Sequence, residues 1–294
     1  MIQRNAFLSW TLLRPTPEII VIGNESGTAE VAAELNLIHC PDVHANEYGT
    51  PLVSSIFEVG EKVGSGSTLV YVNADIILMS DLTDALSKVR LDTFLMVGQR
   101  CNLDVRHLLD FLDPSWELSL QERVSASGQH AGVAAIDYFV FTRGLGKRMP
   151  DLAIGRIMWD NYFIWRTKSR GIPIIDATQV VTAVHQNHDY KHLPGELREF
   201  REGPEARKNI ELAGGWVRYR NLEDADWLLT NIGLVEPPLT VKQLLKRLER
   251  LMLEKSESTF LHGFVQRVLH PDGKMKNLAK RIGWKNSAVS GDTR

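Results

Sequence analysis

The chain has 294 residues, with 34 Lys and Arg against 36 Asp and Glu, a formal charge of −2. That length buries a substantial core, and so even a balance excludes a molecule built as a whole to hold nucleic acid. The two cysteines, Cys40 and Cys101, lie far apart without metal-ligand spacing, and no run of about 18 apolar residues occurs, so neither a disulfide scaffold nor a membrane span is expected.

Too short an apolar region at the start for a signal peptide makes the cytoplasm the expected location. Ile2, Ala6, Trp10 and Leu13 fall on one side of a helix that Pro15 and Pro17 stop. Residues 18–23 read as a short buried strand, closed by the polar turn Asn24-Glu25-Ser26-Gly27. A helix over 28–35 leads to a second strand at 37–39, and two βα units in quick succession predict a parallel sheet. A polar loop, a helix over 51–63 and a Gly-Ser turn bring the chain to residue 68.

Residues 68–81 are the stretch on which the rest is organised. An apolar, β-branched run, Thr68 to Val72, predicts a strand buried on both faces of a parallel sheet, and Asn73 and Asp75 stand where it ends. A carboxylate there needs a partner, and ligands sit at the carboxyl ends of strands in open α/β sheets. Asp75 is therefore the first functional candidate. The plainer alternative, a cap for the helix starting near Leu82, fits Asp81 better.

An apolar strand is expected over 93–98. From 99 to 132 the pattern weakens, with helices at 104–112 and 116–124. Residues 133–142 read as a strand with Asp137 in its middle, where it must be paired or face a polar cavity. A helix is predicted over 154–170, rich in aromatics, with Asp160 and Asn161 near its start; an acid in the first turn is also what the helix dipole favours. Residues 171–176 and 179–184 predict two strands joined by a turn. They run into His185, His188 and His192, a density beyond casual surface use but without an HExxH arrangement. Helices on both sides of Gly203-Pro204 follow, the second with Glu205 and Asn209 on one face.

Beyond Pro237-Pro238 the composition changes, which divides the chain into a domain over 1–236 and a basic helical extension over 237–294. From Leu239 onward there are 12 Lys and Arg against 5 Asp and Glu. Leu244, Leu245, Leu248, Leu251 and Met252 form an apolar stripe at helical spacing. Such a stripe packs back on its own domain, pairs with a second copy in a homodimer, or docks at the periphery of an anionic membrane.

The string Tyr71-Val72-Asn73-Ala74-Asp75-Ile76-Ile77-Leu78, with the helix at 3–10, Trp159-Asp160-Asn161-Tyr162 and the His185 to Tyr190 segment, resembles the GT-A type glycosyltransferases over residues 1–215. The resemblance implies an α/β, Rossmann-like fold with a mainly parallel mixed sheet flanked by helices. It implies a nucleoside diphosphate sugar as donor, and a glycan, lipid or small molecule as acceptor. The family's Asp-X-Asp motif reads Asn73-Ala74-Asp75 here, an amide replacing the first acid. By the same resemblance Asp75, with His185 or His188, would hold Mn²⁺ or Mg²⁺, and imidazole favours Mn²⁺. Asn73 would coordinate through its amide oxygen or bind the ribose.

Asp160 matches the family's acceptor base. Asp137 is the competitor for that role, or with Tyr138 a contact to the donor sugar. Asn24 and Glu25 would touch the nucleotide base. The family's opening strand has no counterpart ahead of the first helix. A competing reading is a GT-A-like protein that binds carbohydrate or assembles with partners without catalysis. A nucleotidyltransferase is disfavoured because no Gly-rich loop with a basic residue stands near the N-terminus.

Overall fold

In the computed structural model the described residues are 1–188 and 196–238. The chain opens with α1 (Ile2–Thr11), β1 (Ile20–Ile22), α2 (Thr28–Glu34), β2 (Ile38–Cys40), α3 (Val53–Val63), β3 (Thr68–Val72), β4 (Ile76–Ile77) and α4 (Asp81–Ser87). The middle contributes β5 (Leu95–Val97), β6 (Arg100–Leu103), α5 (Trp116–Ser127), β7 (Gln129–His130), β8 (Tyr138–Thr142) and α6 (Trp159–Ser169). Last come β9 (Ile174–Asp176), β10 (Ala183–Gln186), α7 (Glu196–Glu202), α8 (Pro204–Ala213), β11 (Trp227–Thr230) and β12 (Gly233–Val235). The expected extension from residue 239 lies outside the described residues.

The architecture is α/β, but the expectation of a mainly parallel sheet is corrected. The central six-stranded sheet has the order β12-β11-β9-β5-β8-β3. Only β5 with β9 and β9 with β11 run parallel; β8 is antiparallel to both β5 and β3, and β12 to β11. A second sheet, β4-β10-β6-β7, has one parallel pair, and β1 with β2 makes a separate parallel ribbon. β3 is also corrected: it is the edge of its sheet, with Val70 43% exposed. An apolar run reports affinity for a pleated, half-buried surface and not a central position in the sheet.

The strands alternate strictly between two cores. Tyr138 and Val140 of β8, Met96 of β5 and Ile175 of β9 share one core with Ala6, Phe7 and Trp10 of α1. Phe139, Phe141, Leu95, Val97 and Ile174 point the other way, against Val53 and Phe57 of α3 and Phe163 of α6. Side chains with a period of two require this, since in a sheet covered on both faces successive residues of the inner strands face opposite cores.

Along α1 the predicted apolar face is present, but Asn5 and Ser9 are wholly buried beside it. Ser9 Oγ accepts from the Leu78 amide at 3.2 Å, and Trp10 Nε1 donates to the Ile76 carbonyl at 3.0 Å, which pins α1 to β4. Asn5 donates to Gln186 Oε1 at 2.9 Å and accepts from the Leu109 amide at 2.9 Å. Buried Gln186 in turn donates through Nε2 to the carbonyls of Ile2 (2.9 Å) and Asp75 (3.1 Å). The first turn of α1 is thus fastened to the backbone of Asp75.

Other expectations shift locally. Residues 104–112 are irregular where a helix was expected, and the two strands expected to be joined by a turn, β9 and β10, belong to different sheets. Asp81 does not cap α4 with its side chain: Ser80 is the N-cap residue, and Asp81 Oδ2 accepts from the Thr182 amide at 2.9 Å. Cys40 and Cys101 are free thiols. No helix among the described residues is long and apolar enough to cross a membrane.

Candidate metal centre

The turn between β3 and β4 carries Asn73 and Asp75, and β10 delivers His185 and, two residues past its end, His188. Antiparallel pairing of β10 with β4 sets His185 opposite Ile76, next to Asp75. The result is convergence on one carboxylate oxygen: His188 Nε2 lies 3.1 Å and His185 Nε2 3.3 Å from Asp75 Oδ2. One ligand atom from each of the three lies within 4.8 Å of the others. His192 and the remainder of 189–195 lie outside the described residues.

Burial would raise the pKa of Asp75, but hydrogen bonding and charge from His185 and then His188 outweigh it and hold the carboxyl below its ordinary value. Asp75 is therefore ionised at neutral pH. Its second oxygen, Oδ1, is buried with no hydrogen-bond partner among the described residues. A buried carboxylate oxygen without a donor is costly unless a cation faces it. Two imidazoles and one carboxylate suit a first-row divalent cation such as Mn²⁺ better than Mg²⁺, which prefers an all-oxygen shell with several waters. The residues present fit such an ion.

A polar chain runs behind this centre. Tyr71 donates its hydroxyl to Asn73 Oδ1 at 2.7 Å, and Asn73 Nδ2 donates to Asp137 Oδ1 at 2.9 Å. The other Asp137 oxygen receives Arg100 at 2.8 Å. Asp137 lies just ahead of β8, not in mid-strand, and burial raises its carboxyl although Arg100 pulls it down. Both its oxygens are engaged, so Asp137 is an anchor for Arg100. Arg100 and Tyr71 went unnoticed in the sequence, although Arg100-Cys101-Asn102-Leu103-Asp104-Val105 is a clear polar-apolar alternation.

Asp160 enters from the side of α6. Trp159, the first residue of α6, packs its ring 5.1 Å from that of Tyr71, which brings Asp160 into the electrostatic neighbourhood of Asp137. Its carboxyl is pushed up to about 7, by burial first and then by the nearby Asp137 charge, against hydrogen bonds from the Asn161 amide and its own backbone amide. The side chain keeps partial exposure, so the group is desolvated yet reachable.

The helix starts later than expected because residues 153–158 form a buttressed loop. Met158, fully buried, adopts a positive φ of 95°, a strained conformation for a residue with a side chain. Two residues of α8 hold this loop. Buried Asn209 accepts from the Ala153 amide at 2.8 Å and donates to the carbonyls of Ala153 (2.9 Å) and Ile157 (3.2 Å), while Glu205 pairs with Arg156. The face shared by Glu205 and Asn209 is thus an internal clamp. Asn209→Ala takes the side-chain partner from two buried backbone groups of Ala153 and a part-buried one of Ile157, and is expected to destabilise the fold by about 3 kcal/mol, read from the denaturant midpoint.

Three expected residues lie elsewhere. Tyr138 is fully buried on the opposite face of β8 from Phe139, with its hydroxyl in the space left by the missing side chain of Gly98, so it cannot meet a sugar ring. Asn24 and Glu25 occupy the exposed turn after β1, in the separate ribbon, and Glu25 folds back over Gly23. The structure brings together Asn73, Asp75, Asp137, His185 and His188, with Asp160 at their flank. No protein-family model matches the chain, and no curated protein matches it either.

Proposed function

We propose that the protein is a metal-dependent glycosyltransferase that moves a sugar from a nucleoside diphosphate donor to a hydroxyl of its acceptor. The observation that carries this reading is the meeting of His185 and His188 on the Asp75 carboxylate at the end of a sheet strand, with Asp160 beside the same polar cluster. Asp75, His185 and His188 would hold the cation, Mn²⁺ in preference to Mg²⁺. When bound, such a cation neutralises the charge that grows on a departing diphosphate.

The remaining work falls to the chain's own groups. Asp160 takes the proton of the acceptor hydroxyl: a carboxyl near pH 7 is matched to that task, being basic enough to accept and still largely ionised at slightly alkaline pH. Asp137 is the weaker choice for the base, because Arg100 and Asn73 already occupy it. Arg100, steered by Asp137, adds a fixed positive charge at the rim of the cluster, and the Tyr71-Asn73 bond holds the turn that presents Asp75.

The test is thermal. UDP or GDP at about 100 times its dissociation constant stabilises the folded state by about 2.7 kcal/mol, and the rise in melting temperature is expected only when Mn²⁺ is present. If neither nucleotide shifts the melting point, with Mn²⁺ or with EDTA, the transferase reading fails.

A further inference from the structure

β6 carries more of the centre than its one ion pair with Asp137. Arg100, Asn102 and Asp104 alternate with the buried Cys101, Leu103 and Val105, so the three polar residues share the face opposite to that core. Arg100 reaches Asp137, and Asp104 Oδ1 accepts from Asn187 Nδ2 at 2.7 Å, just between the two histidines. The Asn187 amide also donates to the Leu103 carbonyl at 3.0 Å. Between these two contacts stands Asn102, the register partner of His185 in the parallel pairing of β6 with β10.

Two complementary atoms on that pair are unclaimed. His185 Nδ1 and Asn102 Oδ1 are both buried, and neither has a hydrogen-bond partner among the described residues. His185 is 5% exposed, so water does not readily serve its inner nitrogen. An imidazole that gives the lone pair of Nε2 to a cation carries its single proton on Nδ1, and that buried N–H requires an acceptor. Metal-bound histidines nearly always donate this proton to a neighbouring oxygen, which fixes both tautomer and ring orientation.

We propose that Asn102 is a positioning residue of the metal centre, its amide oxygen accepting the Nδ1 proton of His185 when Nε2 faces a divalent cation. This rests on the reading of Asp75, His185 and His188 as a cation site. Both histidines already turn Nε2 toward Asp75 Oδ2, and the pair Asn102 and His185 stands ready but unjoined. Cation binding closes the bond, so the sheet register becomes part of the affinity.

The experiment is calorimetric titration of the full chain with Mn²⁺, repeated with Co²⁺ followed by visible absorption. Asn102→Leu is expected to weaken both about 10- to 100-fold. Asn102→Asp, which keeps an acceptor oxygen at the same place, is expected to retain the affinity. Melting in EDTA reports whether each variant is folded. Wild-type affinity in a folded Asn102→Leu, with binding lost in Asp75→Ala, overturns the role of Asn102 and leaves the cation site standing. No uptake of either ion by the unaltered protein overturns both. Should Asn102→Leu not fold, spectra of the His185 ring in wild-type protein loaded with diamagnetic Zn²⁺ decide: a slowly exchanging Nδ1 proton with a through-space contact to the Asn102 side chain supports the proposal, and an Nδ1 proton without that contact, or a proton on Nε2, overturns it.

Discussion

Asp75→Asn is expected to remove Mn²⁺ binding while the fold persists. The substitution keeps the shape and one amide oxygen, and removes the charge on which both histidines converge at 3.1 and 3.3 Å. The loss should exceed the roughly 10- to 100-fold that follows removal of an outer partner, because here a proposed direct ligand is altered. Calorimetry measures the loss, and circular dichroism shows that the protein remains folded. In this turn the Ile76 amide donates to the Asn73 carbonyl and Gln186 donates to the Asp75 carbonyl, and neither bond depends on the carboxylate. An Asp75→Asn protein that binds Mn²⁺ as the wild type does would mean that the cation is held elsewhere.

Asp160→Asn is the second large effect. If Asp160 is the acceptor base proposed above, its removal is expected to lower turnover by about 10²- to 10⁴-fold and to leave Mn²⁺ and nucleotide affinity unchanged, since among the described residues its hydrogen bond goes to Asn161 and not to the Asp75 cluster. In the wild type, turnover should rise with pH and level off above about 7, where the carboxyl is ionised. The same group predicts a stability effect that needs no substrate. Its folded-state value is raised, so its contribution is fully present below the ordinary value near 3.8 and is lost as pH rises through about 7. Asp160→Asn should therefore melt above the wild type at pH 8 and close to it near pH 4. Equal melting temperatures at pH 8 would show that the carboxyl is not strained by its surroundings.

The pair Asp75 and His185 was legible because both interrupt or end apolar runs, where an ionisable group has to have a partner. Helix α1 was legible for its periodic face, yet Asn5 and Ser9 were not: their hydrogen bonds go to residues 69 to 181 positions away in the chain or to the neighbouring turn, which no local pattern encodes. The strand at 68–72 was found, but its place at a sheet edge was not, since edge and centre differ in pairing and not in composition. Tyr138 was misjudged for a simpler reason. It follows Asp137 directly, and alternation along β8 sends neighbours to opposite faces. The same alternation in Arg100-Cys101-Asn102-Leu103 would have exposed β6 as a wall of the site, had four residues been read as a strand.

Gln186 donates to the carbonyls of both Ile2 and Asp75, which sets Ile2 beside the turn that carries one of the three candidate metal-binding residues. A polyhistidine purification tag fused ahead of Met1 would hang beside them and offer its own imidazoles to any added Mn²⁺ or Co²⁺. Titrations on such a fusion would count ions bound by the handle as well as by the protein, and a cleaved or tag-free preparation is the sample on which affinities should be compared.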